Sequence, residues 1–493
     1  MSKLFIDGQW VGSSSGAERE VINPFDRSVV ATVAEGTAAD ATAAVAAARR
    51  AFDDGHWTST SPEHRAAVLN HVADLLDRAK EDIARTETLD TGKTLVESRI
   101  DVDDVAAVFR YYGNLAGALH PRVVPGAGPD VISRVDYDPV GVCAMIAPWN
   151  YPLLQVSWKI APALLAGNTL VAKPSEITPL STIKLFEILA EAGVPAGVAN
   201  LVLGTGPEVG SVLVESDDVD LVSFTGSLGV GQYIMRSAAT SLKKVALELG
   251  GKNPNIVFAD ADLDTAVDYA LTAAFFHAGQ VCSSGTRLIV QDSVYDDFVA
   301  EVARRADLVK LGNGFDADTE SGPLVSAEHR AKVEKYVEIG LSEGARLVAG
   351  GKRPTSPELS EGFFFRPTVF ADCTRDMKLV REETFGPIIT AERFSTREEA
   401  LFLGNDTEYG LAGGVWSQDL EKAQWVARKL RHGTVWINDF GPYLPQAEWG
   451  GFKRSGIGRE LGPTGLHEYC EPKHVYQNLK PTAQNWFARS ADA

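Results

Sequence analysis

The feature that most constrains this chain is a regular alternation that begins at Val140. Short apolar runs read as strands at 140–147, 169–172, 200–203, 220–224 and 244–249, and amphipathic runs between them read as helices at 152–166, 179–192, 207–215 and 229–239. Apolar strands separated by helix-length segments predict a parallel sheet covered on both faces, a Rossmann-like α/β domain. A second α/β series follows Asn253, with a strand at 287–291 and helices at 295–308, 327–343, 396–404 and 420–430. Ahead of the alternation, Leu4–Ile6 and Trp10–Val11 flank an Asp7-Gly8 turn, and an Ala-rich helix runs from Ala38 to Phe52. A second helix starts at Ser61 as N-cap with Pro62 in first position, and Leu69, Val72, Leu75 and Leu76 share its apolar face. A third spans about 102–118 and carries Phe109, Tyr111 and Tyr112; Leu119 to Asp138 then reads as a β-ribbon.

A length of 493 residues exceeds one ordinary core and implies two or three domains. No apolar run approaches the roughly 20 residues needed to span a bilayer, and the opening residues lack a signal-peptide core. The four cysteines (Cys143, Cys282, Cys373, Cys470) form no Cys-x-x-Cys pair, which argues against a zinc site or disulfide framework and for a reducing cytoplasm. A net charge of −19 speaks against nucleic acid as partner; it suits a solvated acidic surface first and a cationic substrate second.

Chemistry concentrates in Phe275 to Arg287, where Cys282 sits in a Gly- and Ser-rich turn between an apolar helical run, Ala266 to His277, and the strand Leu288-Ile289-Val290. A lone cysteine is more often a small buried hydrophobe than a nucleophile. Here, however, the apolar strand Val245 to Leu249 delivers one carboxylate, Glu248, into the Gly250-Gly251 turn, a poor choice for packing and a good one for a general base. A phosphate site is read at Phe224-Thr225-Gly226-Ser227-Leu228-Gly229-Val230-Gly231, where a buried strand ends and a helix opens, so that glycines and free N–H groups meet an anion. Gly204 to Gly210 looks similar, but its third glycine is one residue late and Pro207 points to a helix start, so it is read as a turn.

The pairing of Glu248-Leu249-Gly250-Gly251 with Gly279-Gln280-Val281-Cys282 resembles the active-site signature of the aldehyde dehydrogenase superfamily, and the likeness runs from Phe5-Ile6-Asp7-Gly8 to Trp449-Gly450-Gly451. Within it the chain is most similar to the bacterial betaine aldehyde group. That resemblance implies a cofactor domain at 1–118 and 140–251, a catalytic domain at 252–455, and an oligomerisation extension at 119–139 and 466–493 that joins subunits into a homodimer or homotetramer. It implies NAD-dependent oxidation of a small cationic aldehyde, betaine aldehyde first, to glycine betaine, an osmoprotectant. Cys282 would be the nucleophile, Glu248 the base, and Asn150 the oxyanion donor beside the Cys282 N–H. Cofactor contacts are expected at Ile146, Ala147, Pro148 and Trp149, at Lys173, Ser175 and Glu176, and at Gly206, Phe224, Gly226, Ser227 and Gly231. Leu249, Glu383 and Phe385 complete that set, with Glu383 on the nicotinamide ribose and Phe385 against the ring. A carboxylate at Glu176 would accept ribose hydroxyls and repel a 2′-phosphate, favouring NAD over NADP. Tyr151, Trp158 and Trp449 match an aromatic box for the cation, with Phe276 and Tyr443 nearby. Lys159 and Glu460 match a proton-relay pair, and Glu448 either attracts a cation or faces water. A structural K+ near the domain junction is left open by the resemblance. Competing readings are an ω-aminoaldehyde or broad aliphatic dehydrogenase, and, from another class, a cysteine hydrolase with His277 as base.

Overall fold

The computed structural model describes residues 3–484, 486 and 487. Its first sheet has eight strands, of which five run parallel in the order Lys244–Leu249, Leu221–Gly226, Val142–Ile146, Thr169–Lys173, Ala199–Leu201. Successive strands step outward in one direction from Val142–Ile146 and then resume on its other side, so strand order reverses between Val142–Ile146 and Leu221–Gly226. The helix Pro152–Ala166 lies behind this switch point and is buried on every side, which is why its sequence is apolar all round. Both edges of the sheet are antiparallel: the hairpin Leu4–Ile6 and Gln9–Val11 closes one, and Gly456–Ile457 closes the other against Leu247 and Glu248.

A second sheet of seven strands runs Arg346–Ala349, Thr368–Ala371, Ile388–Phe394, Arg287–Gln291, Pro254–Val257, Ala412–Trp416, Thr434–Ile437 and is parallel except at Arg346–Ala349. Only Arg287–Gln291 is foreseen as a strand from sequence. The others are short or interrupted: Ala412–Trp416 contains Gly413 and Gly414, which lie against Pro254 and Phe440 where a Cβ would be crowded. The ribbon is a three-stranded sheet in which Val131–Pro139 pairs with Cys470–Asn478 over nine residues and Arg122–Val123 adds a short edge. Residues 485 and 488–493 of the expected extension lie outside the described residues. The hairpin Glu18–Ile22 with Val29–Ala34 was not anticipated.

Two helices need correction. The third begins at Leu95, not near 102, and ends at Gly113. A capping box sets its start: the Thr94 hydroxyl accepts from the Glu97 N–H while the Glu97 carboxylate accepts from the Thr94 N–H. The segment 204–210 does open a helix at Pro207, but as a wide turn, Gly206–Gly210, that continues into Ser211–Glu215. Among the described residues, no helix is long and apolar enough to cross a membrane.

Candidate active site

A cleft of ≈ 810 Å³ opens at the carboxyl ends of the first sheet and reaches the turn bearing Cys282. The loop after Val142–Ile146 supplies Ala147, Pro148, Trp149 and Asn150 to its wall, beside Ile146 itself. The loop after Thr169–Lys173 supplies Lys173, Ser175 and Glu176, with the Lys173 ammonium 3.6 Å from the Glu176 carboxylate. Phe224, Gly226 and Ser227 line the adjoining wall, where the helix Leu228–Ser241 begins with Ser227 as its cap. Gly206 also lines the cleft, together with Pro207 and Gly210; the segment read as a mere turn is thus part of the wall. Gly231 does not reach it. A Cβ there would stand 2.7 Å from Leu249, so this glycine serves close packing of helix on strand.

At the inner end, Leu249, Glu383 and Phe385 line the cleft with Cys282, Glu248 and Trp449. Glu383 accepts a hydrogen bond from the Gly251 N–H at 2.9 Å, and a Cβ on Gly250 would come within 2.1 Å of its carboxylate. Gly250 is therefore the space Glu383 needs, while a Cβ on Gly251 would meet Asn253 and the Cys282 carbonyl. Phe385 adopts φ 56 and packs edge-on against Trp149, with ring centroids 5.3 Å apart. Sequence reasoning missed His329, whose Nε2 lies 2.7 Å from the Phe385 carbonyl and whose ring packs on Trp149. Burial lowers its pKa to about 4, so it is neutral and donates to that carbonyl. Its only mark in the sequence is a helix-start position after Ser326. Gln155 and Lys332 also line the cleft unanticipated.

Cys282 is half-buried, and burial with the charges of Glu248 and Glu383 pushes its thiol up to about 12. Burial, reinforced by Glu460, likewise raises Glu248 well above the usual carboxylate range, while Lys159 opposes the shift. Asn150 is buried, and its side-chain amide donates to the Gln280 carbonyl at 2.8 Å; that amide carries a second N–H. Cys282 follows a left-handed turn, with His277 at φ 47, Ala278 at φ 52 and Gly279 at φ 72. Each non-glycine residue in that region costs about 1–2 kcal/mol. Lys159 donates to Thr225 Oγ1 at 2.7 Å and pairs with Glu460, whose backbone bridges that of Trp449.

The aromatic residues divide. Trp158, Tyr443 and Trp449 form a triangle with centroids 5.1, 5.9 and 6.1 Å apart, and the Tyr443 hydroxyl donates to Asp104 at 2.5 Å. Trp158 is 2 % exposed, and of the three only Trp449 borders the cleft, with Tyr443 packed beside it. Tyr151 instead packs against His277, and its ring carries the buried Lys93 ammonium 3.8 Å from its centroid. Phe276 makes no ring contact with the triangle. Glu448 is exposed, and its carboxylate accepts from the Thr464 hydroxyl at 2.8 Å and from the Thr464 N–H at 3.4 Å in the first turn of the helix Gly462–His467. His277, the base of the hydrolase alternative, is buried and held well below its usual pKa by burial. Its Nε2 has no partner, and Glu97 takes the backbone N–H and not the ring.

A model described as the aldehyde dehydrogenase family matches residues 10–475. The chain belongs to the aldehyde dehydrogenase family. This aldehyde dehydrogenase is 60% identical over 484 residues to the betaine aldehyde dehydrogenase of Bacillus subtilis, covering 98% of this chain and 99% of that one. It is 40% identical over 491 residues to the chloroplastic betaine aldehyde dehydrogenase of Beta vulgaris, covering 98% of each. Among solved structures, the betaine aldehyde dehydrogenase of Staphylococcus aureus in complex with NAD+ superposes with a TM-score of 0.97 at 52% identity, over 99% of this chain and 97% of that one.

Proposed function

We propose that this aldehyde dehydrogenase oxidises betaine aldehyde to glycine betaine with NAD. The observation that carries the reading is that Cys282, Glu248 and Asn150 converge at the inner end of a dinucleotide-sized cleft beside the aromatic wall of Trp449. The residues present fit the cofactor. Gly226 and Ser227 with the N-terminus of Leu228–Ser241 suit a pyrophosphate, Lys173 and Glu176 suit the adenine-side ribose and disfavour a 2′-phosphate, and Glu383 on the Gly251 N–H suits the second ribose. NAD, when bound, supplies the hydride acceptor. Glu248 draws the proton from Cys282, and the thiolate adds to the aldehyde carbon to give a thiohemiacetal. Its oxyanion is held by the second Asn150 N–H and the Cys282 backbone N–H. Loss of hydride leaves a thioester on Cys282. Lys159 and Glu460 carry that proton away from Glu248, which, deprotonated again, takes a proton from the water that attacks the thioester carbonyl; the acid leaves and the departing sulfur takes up a proton to restore the thiol.

The quaternary ammonium would sit against Trp449 and Tyr443, where each aromatic face contributes about 0.5–2 kcal/mol. Asp104 behind Tyr443 supplies a carboxylate that an unsubstituted ammonium would also seek, so 4-aminobutyraldehyde stands as a second reading, and its trimethylated form would use the aromatic faces as betaine aldehyde does. Measuring kcat/KM side by side for betaine aldehyde, 4-aminobutyraldehyde and hexanal tests the choice. Betaine aldehyde is expected to lead; a lead for hexanal overturns the cation site. The division into cofactor domain, catalytic domain and ribbon follows the two large sheets and the three-stranded one. Self-association through the ribbon is supported by exposed Val123, Ile132 and Tyr476 on its strands. Four free cysteines suit a reducing cytoplasm, where glycine betaine would serve as an osmoprotectant.

A further inference from the structure

Glu97 takes no part in the chemistry above, yet its buried carboxylate joins two segments 180 residues apart. One oxygen, Oε2, accepts from the Thr94 N–H at 2.7 Å and the Thr94 hydroxyl at 2.8 Å, closing the cap of the helix Leu95–Gly113. The other, Oε1, accepts from the His277 N–H at 2.7 Å. That N–H opens the left-handed run of His277, Ala278 and Gly279. Glycine accepts this conformation freely, whereas in histidine and alanine the Cβ crowds the following carbonyl, so the run persists only where its surroundings dictate it. Three contacts dictate it here. Glu97 fixes the start of the turn. Gln280 fixes its end, donating its N–H and side-chain amide to the His277 carbonyl while its side-chain oxygen accepts from Val325. Gly279 lies against the Gly386 carbonyl, where a Cβ would stand 2.5 Å away. The Gln280 carbonyl then holds Asn150, and Cys282 follows two residues later.

We propose that Glu97 is a positioning residue for Cys282: by holding the His277 N–H it keeps the 277–279 turn left-handed and so aims the thiol at the carbonyl carbon. This rests on Cys282 being the nucleophile. Glutamine at 97 keeps the size but has one acceptor oxygen, so its NH2 group must confront either the Thr94 or the His277 donor.

The test compares the full-length enzyme with Glu97→Gln, Thr94→Ala, Ala278→Gly and the double variant Glu97→Gln/Ala278→Gly, with Cys282→Ala as control. Readouts are the rate of Cys282 alkylation by iodoacetamide, kcat and KM for betaine aldehyde, NAD affinity by fluorescence, and the thermal midpoint. Glu97→Gln is expected to slow both alkylation and kcat by about tenfold or more, as misplacement of a reacting group does, with NAD affinity unchanged. Thr94→Ala should lower the thermal midpoint and keep both rates, since it weakens the cap alone. Ala278→Gly should restore alkylation in the Glu97→Gln background, because glycine needs no strut to remain left-handed. Wild-type alkylation and kcat in Glu97→Gln overturn the proposal, as does an equal loss in Thr94→Ala. Should Glu97→Gln fail to fold, the double variant decides: near-native alkylation supports the proposal, while slow alkylation or a second failure to fold overturns it. An active Cys282→Ala would sink the nucleophile assignment itself; an inactive one beside a normal Glu97→Gln sinks only the positioning role.

Discussion

At neutral pH the Cys282 thiol is protonated in this structure, since burial and two neighbouring carboxylates hold it at about 12, so its nucleophilicity depends on a base. In the proposed mechanism Glu248 is that base, and burial raises its own pKa above the ordinary carboxylate value. A base acts when deprotonated, so kcat should rise with pH through a limb set by Glu248, lying above pH 4.5. Glu248→Gln should lower kcat by about 100- to 10,000-fold and remove that limb; a pH–rate profile checks both, and an unchanged limb contradicts the assignment. Asn150→Ala should lower kcat by about 100- to 1,000-fold, as loss of one oxyanion donor does, measured as steady-state NADH formation. Several of these residues are legible in sequence because a carboxylate in an apolar strand and a thiol in a glycine turn have few packing reasons to be there. The contacts of Glu448 with Thr464, 16 residues on, and of Tyr151 with Lys93 were not, since each joins separate elements and leaves no local trace.

The Gly250-Gly251 turn shows how an element carries function through space alone, because its missing Cβ is filled by the Glu383 carboxylate. Gly250→Ala should displace Glu383 and weaken NAD by about tenfold or more, a loss of about 1.4 kcal/mol; titration of protein fluorescence with NAD measures it, and unchanged affinity would remove Glu383 from the cofactor site. The first sheet was readable because its strands are apolar runs separated by clear helices. Most of the second was not, since Ala412–Trp416 spends two of its five positions on glycine and Pro254–Val257 begins with proline. The helix Leu95–Gly113 was placed seven residues late for a similar reason: its first turns bury Glu97, Ser98 and Asp101, polar residues that an apolar-periodicity reading skips.

Across the whole molecule, the two large sheets meet at the cleft, and the strand Cys470–Asn478 leaves both to pair with Val131–Pro139. Removing residues 470–493 should unpair the ribbon and yield a smaller species by light scattering; an unchanged mass would place the subunit contact elsewhere. The ribbon's alternation was visible in sequence, whereas its pairing with a strand over 300 residues away follows only from the fold, as does the bridge from Trp449 to Glu460 that links the aromatic wall to the Lys159–Glu460 ion pair. The most direct measurement is NADH absorbance after mixing enzyme, NAD and betaine aldehyde, for the native protein and for Cys282→Ala. The native enzyme should produce NADH steadily and the variant none above background; NADH at the native rate from the variant would contradict the account.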